Sequence, residues 1–170
     1  MRIYLPDPKA YFDWLDSAGY AYVIMRGFLP FEQGFPAVGS KHDIDMLVED
    51  HALAAIAQKY ASYRKHQGTP CDVYDVSPRS EGTYHPRPYY PTQLAQTMLA
   101  SRRRWKGLFY TPDARHYMLA LAYHRLYRKK YPRSGIVYAE NDPVFGGLYA
   151  DEMAQMAQEA GEPFINTMDG

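Results

Sequence analysis

Hydrophobic positions along this chain follow helical and strand rhythms in turn. Behind Pro8, Tyr11, Phe12 and Leu15 share one helical face and Gly19 stops the run, so residues 7–17 read as a short helix. Residues 20–25, with Val23 and Ile24, are strand-like and end at Arg26-Gly27. Pro30, Gly34, Pro36 and Gly39 make 28–40 a loop. Residues 42–50 read His-Asp-Ile-Asp-Met-Leu-Val-Glu-Asp, a strongly apolar strand interrupted by Asp43 and Asp45. Asp50 then caps a helix over 51–62, with Leu53, Ile56, Ala57 and Tyr60 as its buried stripe. Gly68 and Pro70 break the chain. Residues 71–76 form a third strand, with Asp72 and Tyr74 on one face and Val73 and Asp75 on the other.

Residues 77–91 are a loop rich in Pro, Gly and Tyr, a candidate to contact substrate or to pack its tyrosines on the core. Thr92 caps a helix to about 103, turning Leu94, Ala95, Met98 and Leu99 inward and ending in Arg102-Arg103-Arg104, where cations suit the helix dipole. Thr111-Pro112-Asp113 starts another helix, running to about 130 and burying Met118, Leu121, Ala122 and Leu126. His124 on this helix reads as an ordinary core or surface histidine. Residues 132–148 look irregular. A last helix over 150–160 carries Met153, Met156 and Ala157 as its stripe and stops at Gly161.

This order predicts an α+β protein: a small mixed β-sheet with packed helices, then a mainly helical second half. The expected division is 1–91 for the α/β core and 92–170 for a helical extension packed on it. The 170 residues suit one compact unit. No run of about 18 apolar residues is present, so no membrane span is expected. The first residues, Met1-Arg2-Ile3-Tyr4-Leu5-Pro6-Asp7, lack the apolar segment of a signal peptide. Cys71 is the single cysteine, which excludes an intrachain disulfide and lacks the partners of a zinc site. These features point to the cytoplasm.

The net charge of zero hides three blocks. Residues 1–101 carry 9 basic and 11 acidic side chains, 102–133 carry 10 and 1, and 134–170 carry 0 and 7. The basic block suits a polyanion. Opposite charge also predicts that the acidic tail lies beside it. With the basic residues confined to one segment, a purely nucleic-acid-binding role is weakly supported.

The chemistry centres on Asp43 and Asp45. Side chains two apart on a strand share a face, so these carboxylates project together while Ile44, Met46 and Val48 face the other way. Two like charges on one strand face repel and need a counter-charge. A divalent cation supplies it economically, since Mg²⁺ is typically held by one or two carboxylates plus phosphate oxygens. The plain alternative is a solvated edge strand with two surface aspartates, against which stands the depletion of Asp in strands.

A strand ending in Gly, then Asp43-Ile-Asp45, then Asp72 on a further strand, resembles the nucleotidyltransferase fold. That superfamily includes DNA polymerase beta-like palms, tRNA-nucleotide adders and small antibiotic- or protein-modifying enzymes. Tyr22-Val-Ile-Met-Arg-Gly27 and Lys41-His-Asp-Ile-Asp45 look especially like a divergent branch found in bacterial surface-polysaccharide and uncharacterised loci. The likeness covers residues 18–76. It implies that Asp43, Asp45 and Asp72 (with Asp75 as the fallback) hold Mg²⁺ or Mn²⁺ and are catalytic. It implies that Arg26, Gly27 and Lys41 bind the phosphates of a nucleoside triphosphate such as ATP. The family's Gly-Ser usually lies about ten residues before the first acidic residue. Here Phe28 follows Gly27, 16 residues ahead of Asp43, while Gly39-Ser40 lies only four ahead.

The implied activity moves a nucleoside monophosphate to a small molecule, a polysaccharide precursor or a macromolecule. A non-catalytic module of the same fold, such as a toxin–antitoxin component, is the alternative. A glycosyltransferase Asp-x-Asp ranks last, because the 42 residues before Asp43 are too few for the βα units of a nucleotide-binding half domain.

Overall fold

The computed structural model describes residues 1–40, 42–77, 88–124 and 148–161, without the side chains of 148–150 and 153. It is a mixed α+β structure. Four strands form the main sheet: β1 (Arg2–Leu5), β2 (Tyr22–Arg26), β3 (Ile44–Val48) and β4 (Thr69–Asp75), in the order β1-β4-β3-β2. β3 and β4 run parallel, while β1 and β2 flank them antiparallel. The parallel pair requires a crossover, supplied by helix α2 (Asp50–Tyr60), whose Leu53 and Ile56 are buried. Helix α1 (Pro8–Ser17) opens on Asp7, which accepts from the Ala10 amide, and buries Tyr11, Phe12 and Leu15.

Both faces of the sheet are covered. Ile3, Leu5, Ile24, Ile44, Met46 and Val48 face one core with α1 and α2. Trp105, Phe109, Tyr117 and Met156 from the second half join that same core. Val23, Met25 and Leu47 face a second core with Tyr89, Tyr90 and helix α3 (Thr92–Ala100). That second layer is why Asp45, on the face of Leu47, is mostly buried rather than solvated on an edge.

The second half departs from expectation after α3. The helix ends at Ala100, and Arg103–Trp105 (β5) pairs with Phe109–Thr111 (β6) as a hairpin. Lys106 and Gly107 turn it with positive φ, and burial of Trp105 and Phe109 draws the segment onto the core. Helix α4 (Ala114–Tyr123) starts on Asp113, which accepts from the His116 amide. Met118, expected inside, is 38% exposed. The expected extension to 130 with Leu126, the loop residues 78–87 and the irregular stretch 132–147 lie outside the described residues. Helix α5 (Leu148–Ala160) buries Met156 and Ala157.

Two expected caps differ. Asp50 opens α2 but its carboxylate accepts from the Val76 and Ser77 amides beyond β4. Thr92 is preceded by Pro91 and caps nothing. Helix α5 of the acidic tail does lie beside the basic hairpin: Met156 and Glu159 line one space with Arg103 and Arg104, and Arg103 donates to the Glu159 carbonyl at 3.4 Å. The hairpin's ion pairs among the described residues run instead to the first half, Arg104 with Asp16 and Lys106 with Glu32, and α5 docks mainly through buried side chains. Among the described residues no helix is long and apolar enough to cross a membrane.

Candidate functional site

Strand register assembles the site. Arg2 on β1 pairs with Asp72 on β4, Asp72 lies beside Asp45 on β3, and Asp45 pairs with Arg26 on β2. The row across all four strands therefore reads Arg, Asp, Asp, Arg, on one face of the sheet. A β-bulge makes the fourth position possible. Tyr22, Val23 and Ile24 pair regularly with Val48, Leu47 and Met46, which by alternation would set Arg26 opposite Ile44, toward the apolar core. The register shift at Met25 places Arg26 opposite Asp45 instead.

The ionic contacts are close. Arg2 donates Nε to Asp72 Oδ1 at 2.7 Å and Nη2 to Asp72 Oδ2 at 2.6 Å. The same Nη2 reaches Asp43 Oδ2 at 2.8 Å, so one guanidinium joins two of the carboxylates. Arg26 Nη2 lies 2.8 Å from Asp45 Oδ2, and its guanidinium lies over the Tyr89 ring at 5.4 Å. Tyr89 in turn shares a buried hydrogen bond with His124, which is thus a core histidine. Burial pushes the Asp45 carboxyl up to about 6. Arg26 opposes this, and the neighbouring charges of Asp43 and Asp72 add to it.

The sequence leaves Asp72 and Asp75 as rivals for the third carboxylate. Asp72 stands in the row with Asp45, whereas Asp75 pairs with Val48 and projects to the other face. Burial pushes Asp75 up to about 6 as well.

Beside the row opens a cleft of about 280 Å³, lined among others by Arg26, Gly27, Ser40, His42, Asp43 and Asp45. Its wall, the 34–40 segment, is tied down where buried Thr69 donates its hydroxyl to the Pro36 carbonyl. Lys41 lies outside the described residues. Of the loop read either as contacting substrate or as packing its tyrosines on the core, Tyr89 and Tyr90 take the second course, buried in the second core.

Gly27 holds φ +70°, a left-handed conformation that glycine adopts without strain. Its amide is already engaged. Gly27 N–H donates to Glu152 Oε1 at 3.0 Å, and the Phe28 and Leu29 amides donate to Oε2 at 2.7 and 3.3 Å. The Tyr117 hydroxyl also donates to this carboxylate. Glu152 on α5 is fully buried, and burial raises its carboxyl above the ordinary range despite those four donors.

Two of the residues that build this site escape sequence reading. Arg2 was detectable in Arg2-Ile3-Tyr4-Leu5, where Ile3 and Leu5 alternate as a half-buried strand. Glu152 lies four residues before Met156, on the apolar stripe of its helix, and a carboxylate in that position was the signal.

The donor set is all carboxylate oxygen, hard and anionic, as a divalent cation requires. Yet among the described residues no three His, Cys, Asp or Glu side chains are grouped so as to hold a metal ion as they stand. The reason is visible in the contacts: Asp43 and Asp72 are turned to Arg2, and Asp45 to Arg26. Compared with known protein families, curated proteins and solved structures, the chain matches none of them.

Proposed function

We propose that this chain is a nucleotidyltransferase-like protein that binds a divalent cation, Mg²⁺ or Mn²⁺, together with a nucleoside triphosphate, and moves the nucleoside monophosphate to a hydroxyl acceptor. The observation that carries this reading is the side-by-side pair Asp45 and Asp72 on one sheet face, with Asp43, the residue just before β3, joined to Asp72 through Arg2, and with Asp43, Asp45 and Arg26 lining one cleft. The order of strand, Asp-Ile-Asp strand, helix and Asp-bearing parallel strand supports it. So does Asp45, a buried carboxyl made reluctant to ionise beside a cleft.

Asp43, Asp45 and Asp72 would hold the cation, which replaces Arg2 as the counter-charge of Asp43 and Asp72. When bound, the cation neutralises phosphate charge and favours the ionised form of the acceptor hydroxyl. The chain's own part is positioning and charge. Arg26, held by Asp45 and the Tyr89 ring, sets a fixed cation at the cleft wall for a phosphate oxygen. Asp72 would complete the cation's ligands or orient the acceptor hydroxyl.

A second reading, a non-catalytic module of the same fold, is favoured by one observation: the amides of Gly27, Phe28 and Leu29, where the phosphate grip is expected, are occupied by Glu152. Thermal unfolding with Mg²⁺ or Mn²⁺, with and without ATP, CTP, GTP or UTP, tests cation and nucleotide binding. Pyrophosphate release separates the readings. Stabilisation by cation plus triphosphate, lost in Asp45→Asn, is the expected result. Binding without any pyrophosphate release favours the non-catalytic module. No response to any triphosphate with either metal refutes the enzyme.

A further inference from the structure

A second cleft, of about 260 Å³, lies on the other side of Asp43. Ser40 and Asp43 line both clefts, so the two spaces meet at these two residues. The second cleft is lined also by Arg2, Tyr4 and Lys65. Arg2 and Tyr4 are alternate residues of β1 and so project from one face. Lys65 opens the 3-10 turn Lys65–Gln67, in which the Gln67 side chain accepts from the Arg64 amide at 2.7 Å. Gly68 presses that turn onto β1, leaving no room for a side chain: a Cβ there would lie 2.6 Å from the Leu5 backbone. The lysine is thus held over the strand that carries Arg2. Among the described residues no carboxylate pairs with Lys65.

Arg2 has two demands on it. Its guanidinium satisfies Asp43 and Asp72, the oxygens that a divalent cation would take. A guanidinium and a dication cannot share those oxygens, because like charges so close repel. The Arg2 and Asp43 side chains are 38% and 36% exposed, so Arg2 has room to leave, and the space beside it is the Lys65 cleft. Two cations and the Ser40 hydroxyl facing one small cleft suit an oxyanion of more than one charge.

We propose that Arg2 couples the two clefts: it neutralises Asp43 and Asp72 while no cation is bound and, when a divalent cation takes them, turns to join Lys65 in binding a phosphate-bearing acceptor. This rests on the cation reading of the carboxylate row given above. It makes cation and acceptor bind cooperatively, since each relieves a charge that the other leaves unbalanced.

The experiment measures thermal unfolding of the full chain with Mg²⁺ alone, inorganic phosphate alone and both, without nucleotide. In the wild type, phosphate should stabilise more with Mg²⁺ present than without. Arg2→Gln should reach half its Mg²⁺ response at a concentration about fivefold or more lower, having lost the internal competitor, and should lose the phosphate response. Arg2→Lys, keeping the charge but not the fork, should fall between. Lys65→Ala, an exposed change that leaves the fold alone, should keep the Mg²⁺ response and lose the phosphate response. An unchanged or weaker Mg²⁺ response in Arg2→Gln overturns the proposal, as does an undiminished phosphate response in Lys65→Ala. A Mg²⁺ response without these couplings defeats this inference alone. No Mg²⁺ response in any of the proteins, with or without phosphate, also overturns this inference, while the cation reading itself is decided by the triphosphate titration described above.

Discussion

Replacing Asp45 by Asn isolates the electrostatics of the carboxylate row. Burial holds the Asp45 proton to about 6, against an ordinary 3.8. Below 3.8 the group is protonated whether the chain is folded or not, and contributes nothing. Between 3.8 and about 6 the folded protein keeps the proton that the unfolded chain has released, so stability falls as pH rises. Above 6 the penalty is complete. A gap of about two pH units, at ~1.4 kcal/mol per unit, is about 3 kcal/mol. The side chain is only 16% exposed, so solvent screening removes little of this. Asn copies the shape of the protonated acid and can still accept from Arg26 through its amide oxygen. The variant should match the wild type near pH 4 and exceed it by up to ~3 kcal/mol at pH 7. Asp75 titrates in the same range in both proteins and cancels in the difference. Urea unfolding at intervals from pH 4 to 7.5, with chelator present, measures the gap directly. Parallel curves, or a variant less stable than the wild type at pH 7, would refute the argument and make Asp45 a structural partner of Arg26. Adding Mg²⁺ should then narrow the gap, because a bound cation favours the ionised acid and the variant lacks it.

Three further expectations concern the scaffold. In Glu152→Gln, either amide orientation leaves buried donors facing an NH₂ group, at ~1–3 kcal/mol for each one stranded, so urea unfolding should show a loss above 2 kcal/mol. Gly27→Ala meets no neighbour within 4 Å, but φ +70° makes it about 1–2 kcal/mol less stable, and Gly27→Asn should recover part of that in the same assay. Gly68→Ala acts oppositely, through contact rather than conformation: it must push the 3-10 turn off Leu5, destabilising the protein by ~1–3 kcal/mol as overpacking does and weakening any ligand held by Lys65.

The three core strands and α1 were legible because apolar periodicity and Pro and Gly punctuation agreed there, and the adjacency of Asp72 and Asp45 followed from the order of elements. The β5–β6 hairpin was not. Arg102-Arg103-Arg104 looks like the cationic end of a helix, and only tertiary burial of Trp105 and Phe109 makes it a strand. The candidate site was half visible. Its carboxylates stand out as charges in an apolar run, but their counter-charges depend on facts that no local pattern encodes. Arg2 arrives because β1 adds to the edge of β4, and Arg26 because a bulge shifts its register. Lone acidic residues on apolar stripes, like Glu152, are easily passed over, since a single charge barely alters a helical periodicity.

The Glu152 clasp has a consequence in time. It joins groups 123 to 125 residues apart in sequence. At ~5–20 residues per second of synthesis, the Gly27, Phe28 and Leu29 amides wait about 6–25 s for their acceptor to be made. Until then they remain hydrated, because burying them unpaired is too unfavourable. The sheet, built from strands within the first 75 residues, can pair earlier. Docking of α5 is therefore a late step of high contact order. A nascent chain stopped before Glu152 should hold its sheet while leaving the turn at Leu29–Gln33 open to hydrogen exchange, and completion of the chain should close it.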